Sequence, residues 1–271
     1  MEHAKRRFWH APGAIGSATA LAASAVLLIG ALTGCAALDE EPEMPEKRPT
    51  MAPSEMEPQP EHDPEGTSAA VDPMANDSLQ QAIADNDADA VRAALAAGAD
   101  LELRGADGRT PLVSATKANA ADAAIALIEA GADVNAQDDL HDSAYLYAGA
   151  ESLVPILVAT LANGADLTST NRYGGTALIP AGEHGHVEVT KLLLDAGIDP
   201  DHVNNLGWTA LQEAVLLGSD GPEHRETVRL LLAGGADPNL RDFEGNTPLA
   251  NALAQGYTGL ADLILAAGGT R

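Results

Sequence analysis

The chain has 271 residues, with 40 acidic side chains against 15 basic ones and a formal charge of −25. That balance excludes phosphate-backbone binding of nucleic acid and flat adsorption on anionic lipid, because both need clustered Lys and Arg. A single cysteine excludes internal disulfides and thiolate metal sites, so packing alone must hold the fold. The charge also suits a basic partner, although plain solubility accounts for it.

The first ten residues carry Lys5, Arg6 and Arg7, and the run from Ala18 to Gly34 has no charged residue. A positive start followed by an apolar run ending in small residues is the pattern of a secretory signal. A spanning helix needs about 20 apolar residues, and this run is a little short. The stretch Leu32-Thr33-Gly34-Cys35 resembles the lipobox of bacterial lipoproteins, which implies a signal peptide over 1–34 and lipid on the Cys35 thiol. Two or more acyl chains then make a stable membrane anchor. An uncleaved N-terminal anchor is the alternative; under either reading the rest of the chain is exported. Residues 36–77 are dense in Pro, Glu and Asp, with Lys47 and Arg48 as their only basic residues. Such a segment buries too little apolar surface to fold, so a disordered acidic linker is expected. About 40 flexible residues would reach roughly 35 Å.

Residues 78–271 are long enough for one sizeable domain. Glycines follow apolar helix ends at Gly98, Gly131, Gly164, Gly197, Gly235 and Gly268, in steps of 33, 33, 33, 38 and 33. A second series, Thr110, Ser143, Thr176, Thr209 and Thr247, keeps the same period and the same interruption. Each period reads as two helices and a turn. Thr or Ser caps the first helix, Pro111 or Pro248 suits its first position, and a glycine ends the second. The unit "GRTPLVSATKANAADAAIALIEAGADVNAQD" resembles the ankyrin repeat. The resemblance implies an all-α solenoid of six units over about 76–105, 106–137, 138–170, 171–203, 204–241 and 242–271. Gln80, Gln81, Asp85 and Asp87 in the first unit suit a polar cap. The extra residues of the fifth unit, Ser219 to Glu223, are expected to lengthen the loop between its helices.

In the ankyrin family partners lie along a concave face built from turn tips and first helices. Carried over unit by unit, the matching positions that imply partner contact include Asp139 and Asp142 in unit three and Arg172, Tyr173, Glu183 and His184 in unit four. They include Asn205 and Trp208 in unit five and Phe243 in unit six. Tyr147, Pro180 and Glu213 share one position of the first helices. Each departs from the repeat, as local rule-breaking at functional sites does, and Tyr147 and Glu213 join the candidates. Tyr173, Trp208 and Phe243 sit at successive turn tips, where they either bind a partner or stiffen the turns. His141 stands where the other turns have glycine, and Pro180 removes an early helical hydrogen bond.

Glu183, His184, His186 and Glu213 are the residues from which acid–base or metal chemistry could be built. They lack Zn-type ligand spacing, and His186 fills the place of the family's structural Gly-His pair. No phosphate loop or nucleophile motif occurs, so no cofactor, metal or enzymatic activity is expected. The expected function is a membrane-tethered scaffold for protein–protein interaction outside the bacterial cytoplasmic membrane, anchored through Cys35 to the cell membrane or outer membrane and facing the periplasm or exterior. The resemblance makes a catalase-type enzyme a candidate partner by analogy. A small-ligand or peptide receptor in the groove of repeats three to five is the alternative.

Overall fold

Residues 73–271 are described by the computed structural model. The expected signal segment, Cys35 and the linker as far as residue 72 lie outside them. Among the described residues there are twelve α-helices and no strand. Each unit contributes a pair: α1 (Pro73–Ala84) and α2 (Ala88–Ala96), α3 (Pro111–Lys117) and α4 (Ala121–Glu129), α5 (Ala144–Ala150) and α6 (Val154–Ala162). Then come α7 (Leu178–His184) and α8 (Val187–Asp195), α9 (Ala210–Leu216) and α10 (Pro222–Ala233), α11 (Pro248–Gln255) and α12 (Thr258–Ala266). Helix α1 takes in residues 73–77, which were expected in the linker. Pro73 fits a first helical position, and burial of Ala75 and Leu79 draws the turn into the stack.

First helices pack on first helices, from α1 through α3, α5, α7 and α9 to α11, and second helices form a parallel row behind them. Leu112, Leu127, Leu157, Leu178, Leu193, Leu211, Leu231 and Leu260 fill the space between the rows. The side chains of Thr110, Ser143, Thr209 and Thr247 accept from the N–H three residues on, capping α3, α5, α9 and α11 as expected. Helix α7 is the exception. Pro180 has no N–H to return to the Thr176 carbonyl, so Ile179 N–H bonds there instead at 3.2 Å and the helix starts only at Leu178. Thr176 Oγ1 is left buried with no hydrogen-bond partner.

Between the helix pairs, the turns build a row of fingers. Asp138, Asn171, Asn204 and Asp242 are buried at their bases. In each, Oδ1 accepts two backbone N–H groups, from Leu140 and Asp142, Tyr173 and Gly175, Leu206 and Trp208, or Glu244 and Asn246. The side chain thereby takes over the hydrogen bonding of a tight turn. Adjacent fingers are stitched together by Asp139 N–H to the Asp107 carbonyl at 3.1 Å and Asn205 N–H to the Tyr173 carbonyl at 2.9 Å. His141 does adopt a left-handed backbone, with φ 60°.

The loop between the helices of the fifth unit is lengthened as expected: residues 217–221 join α9 to α10, where residues 185–186 join α7 to α8. Pro222 starts α10 early, so the helix has 12 residues where α8 has 9. Of the insertion only Ser219–Gly221 remains as loop, and Asp220 reaches into the next unit. Its carboxylate accepts from Gly259 N–H and Leu260 N–H, both at 3.0 Å, capping α12, whose own N-cap residue Tyr257 makes no side-chain cap bond.

Candidate interaction surface

The candidate residues begin at the seam of units two and three. Lys117, at the end of α3, places Nζ 2.6 Å from Asp138 Oδ2 and 2.8 Å from Asp142 Oδ2. The same ammonium lies 5.3 Å from the centroid of Tyr147. Burial pushes the Asp138 carboxyl up, but the Lys117 hydrogen bond and the Asp142 and Leu140 N–H groups outweigh it and leave it below the usual carboxylate range. For Tyr147, burial and then the charge of Glu151 raise the phenol. Asp142 and Tyr147 are therefore brought together, and Lys117 joins them. Its two carboxylate partners lie 21 and 25 residues away, so nothing in its own sequence neighbourhood marked it. Asp139 stands apart on the exposed fingertip, packed over Gly108.

The fingers of units four to six carry the aromatic candidates, Tyr173 and Phe243 toward the tips; Trp208, expected at a tip, instead closes the turn at the base of its finger, where its carbonyl accepts from Asn204 N–H at 3.0 Å. The Arg172 guanidinium carbon lies 4.7 Å from the centroid of Tyr173, and both side chains are half-buried. Asn205 is exposed and packs over Gly174, while Trp208 is half-buried, with its N–H bonded to Asn204 Oδ1. Phe243 lays one face over Gly207, where a Cβ would have no room, yet remains 78 % exposed. So stacking and exposure coexist in one ring. Tyr145, by contrast, is 0 % exposed and belongs to the core.

At the α7–α9 seam lie two buried acids. Gly182 of α7 faces the backbone of Ala210, with room for nothing larger than hydrogen. Glu183 is 8 % exposed and Glu213, one turn into α9, is 1 % exposed. Asn204 Nδ2 donates to Glu213 Oε1 at 2.8 Å, and Oε2 is buried with no hydrogen-bond partner. Burial, and then the charge of Glu183, push the Glu213 carboxyl up to about 8 against the Asn204 hydrogen bond, so it holds its proton at neutral pH. His184 is exposed, its ring 5.3 Å from that of His186. His186 has the structural role its position implies: it hydrogen-bonds the Ala150 carbonyl, and burial lowers its basicity. Among the described residues no three His, Cys, Asp or Glu side chains gather as a metal-holding group.

A buried amide network beyond this seam had no counterpart in the sequence reading. Gln212 Nε2 donates to the carbonyls of Leu240 and Asn246, and Asn251 Nδ2 donates both to Gln212 Oε1 and to Asp242 Oδ2. Asp242 and Asn251 stand where unit five has Asn204 and Glu213, with acid and amide exchanged. That exchange was visible in the aligned repeats.

The model of the family "Ankyrin repeats (3 copies)" matches residues 63–138 and 140–242. The chain belongs to the ankyrin-repeat family. Similar solved structures include an ankyrin repeat domain from Acinetobacter baumannii AYE, 51% identical, with a TM-score of 0.69 over 71% of this chain and 98% of that one. Another is the ankyrin repeat protein EF0377, 39% identical, with a TM-score of 0.67 over 70% of this chain and 97% of its own. The ankyrin repeat domain of Bcl-3, a member of the IkappaB protein family, is 27% identical, with a TM-score of 0.62 over 71% of this chain and 86% of that one. No match emerges among curated proteins. Ankyrin repeats generally mediate protein–protein interaction, and ankyrin relatives are typically scaffolds rather than enzymes. Among the described residues no helix of this ankyrin stack is long and apolar enough to cross a membrane.

Proposed function

We propose that the chain is an exported, lipid-tethered ankyrin scaffold that holds a protein partner in its concave groove. The observation that carries the reading is the series Tyr173, Trp208 and Phe243 in successive fingers, the first and last toward the tips and Trp208 at the base of its own, in a chain that is 3% aromatic. Large, stiff rings lose little side-chain entropy on binding, and they supply much of the energy where proteins meet. Asp139, Asp142, Tyr147, Arg172, Glu183, His184, Asn205 and Glu213 complete the groove and tip positions of the reading. Cys35, after its charge-free run, supports a lipid anchor in the bacterial cell membrane or outer membrane, and residues 36–72 serve as a spacer toward the periplasm or exterior. A catalase-type enzyme is a partner by analogy only.

The test is crosslinked co-purification of the full-length protein from its own cells. A folded Tyr173→Ala/Trp208→Ala variant and a Cys35→Ala variant run beside the wild type. We expect one protein to be enriched with wild type and lost with the double variant, and the Cys35→Ala protein to leave the membrane fraction. Enrichment of no protein would overturn the scaffold reading in favour of a small-ligand groove. Unchanged membrane recovery of Cys35→Ala would overturn the lipid tether.

A further inference from the structure

Asp or Asn stands directly before glycine at three places: Asp107–Gly108, Asn163–Gly164 and Asp220–Gly221. Such a side chain can be attacked at its carbonyl carbon by the nitrogen of the next peptide, and glycine has no Cβ to block the approach. The nitrogen must give up its proton to attack, so a hydrogen bond from that N–H protects the pair. Gly108 N–H donates to the Gly105 carbonyl at 3.1 Å, and Gly221 N–H to Ser219 Oγ at 3.3 Å. A carboxylate also resists attack through its charge, and that of Asp220 is tied to Arg225 and to the Gly259 and Leu260 N–H groups. Asn163–Gly164 lacks both protections. At the ends of the other second helices, Gly98, Gly131, Gly197, Gly235 and Gly268 donate to the carbonyl three residues back, at 2.9 to 3.3 Å. Gly164 N–H has no hydrogen-bond partner among the described residues, and both residues of the pair are exposed. A Cβ on Gly164 would meet nothing within 4 Å, so the space around it is open. The same Asn163 amide closes α6. Its Nδ2 donates to the Ala159 carbonyl at 2.9 Å, while its backbone N–H turns to Thr160 at 3.1 Å. In α4 and α8 the backbone N–H of the capping residue makes the bond to the carbonyl four residues back.

We propose that Asn163–Gly164 is a self-modification site, at which the Gly164 nitrogen attacks Asn163 Cγ, and that the acid so formed uncaps α6. The Gly164 nitrogen loses its proton to solvent base and bonds to Cγ. The Cγ–Nδ2 bond breaks, and Nδ2 takes up a proton and leaves as ammonia. Water then opens the five-membered imide. Breaking the new Cγ–N bond gives aspartate, and breaking the original peptide bond gives isoaspartate; no oxidant or reductant takes part. Closure requires the amide to leave Ala159 and the Asn163 ψ to swing away from 31°, both of them motions of an exposed last turn. Charged groups on the neighbouring segments are already engaged. Glu129 at the end of α4 pairs with Arg92, Lys191 and Asp195 of α8 pair with one another, and Asp133 and Asp166 accept N–H groups of their own turns. Neither product can donate to Ala159 as the amide does. Each puts a negative charge at the negative end of α6, whose last turn has no basic residue to offset it. Helix α6 packs against α4 and α8, so the loosened end lies in the middle of the second-helix row.

The experiment is incubation of the full-length protein at 37 °C, at pH 7.4 and 8.4, followed by peptide mapping with mass spectrometry. A synthetic peptide of residues 160–166 runs beside it. We expect aspartate and isoaspartate to replace Asn163, about tenfold faster at the higher pH, because the attacking nitrogen must be deprotonated. The folded chain should convert less than about a hundredfold more slowly than the peptide, since only local opening of one turn is needed. Asp107 and Asp220 should yield no isoaspartate over the same period. Asn163→Gln keeps a donor but would have to close a six-membered ring, and position 163 of that variant should stay unconverted. Asn163→Asp carries the product's charge from the start. Hydrogen exchange at Ala165 N–H, which bonds Thr160 at 3.1 Å beside the cap, should quicken about tenfold in Asn163→Asp and less in Asn163→Gln. Asn163 left intact in wild type after the peptide has converted, or conversion at one rate at both pH values, would overturn the modification site without recourse to any variant. Equal exchange at Ala165 in wild type and Asn163→Asp would overturn the uncapping.

Discussion

Burying one carboxylic acid beside another ties the stability of this stack to pH. Glu213 holds its proton in the folded state to about pH 8, while in the unfolded chain it titrates near its ordinary value of 4.5. The folded state therefore binds more protons throughout that interval. The contribution is fully present below about pH 4.5 and is lost as pH rises toward 8, by at most about 1.4 kcal/mol per pH unit. Glu213→Gln mimics the protonated acid and should remove that slope. Urea unfolding at pH 5.5 and 8.5 should show wild type losing about 2–4 kcal/mol more than the variant over the interval; equal losses would place the proton on another group. Glu213 was legible as a departure from the repeat at the position it shares with Tyr147 and Pro180, and His141 as a left-handed residue, because Gly108, Gly174, Gly207 and Gly245 mark its place. Partners were not legible. Nothing near Glu213 in sequence indicates that Asn204 donates to it, nor does the neighbourhood of Lys117 announce Asp138, since these contacts depend on how fingers fold back over helices.

Element boundaries followed the repeat wherever its capping chemistry was intact and shifted where it was not. Pro180 delays α7, and Pro222 extends α10. The step of 38 residues revealed an insertion, yet periodicity carries no information on what inserted residues do. Asp220 takes a bidentate Arg225 at 2.9 Å and caps α12 through two N–H groups; the Arg225 hydrogen bonds first, and then the Gly259 and Leu260 N–H groups, hold its carboxyl below the usual range despite some burial. The exposed ion pair adds little, so the cap is the larger contribution. Asp220→Ala should cost about 1–2 kcal/mol, and hydrogen exchange should quicken first at Gly259 and Leu260. Asp220→Asn, which can still accept from one N–H, should lose less. Equal exchange in all three proteins would mean that α12 is capped by other groups.

Over the whole stack, each unit leans only on its neighbours, so stability is a chain of interfaces rather than one shared core. The inner helices approach most closely around unit four. A Cβ on Gly149 would come 2.8 Å from that of Ala177, and one on Gly182 would come 2.6 Å from the Ala210 carbonyl oxygen. A carbonyl in a helix cannot swing aside as a side chain can. Gly182→Ala must therefore part α7 from α9, at a cost of about 1–3 kcal/mol confined to one seam. Interfaces on either side do not share that loss, so units five and six should separate from units one to four as pH and temperature are held fixed and urea is raised. We expect the single transition of wild type to divide in two, the first carrying about a third of the helical signal, as two of six units would. Gly131→Ala is the comparison: its φ of 95° strains an alanine, but a Cβ there meets nothing within 4 Å. It should cost about 1 kcal/mol inside unit two and leave the transition single. The divided transition would also disturb the Glu183–Glu213 pair, because the seam that opens is the one that buries it. A single, merely shifted transition for Gly182→Ala would show instead that strain spreads along the stack, and that the groove responds to a partner as one body.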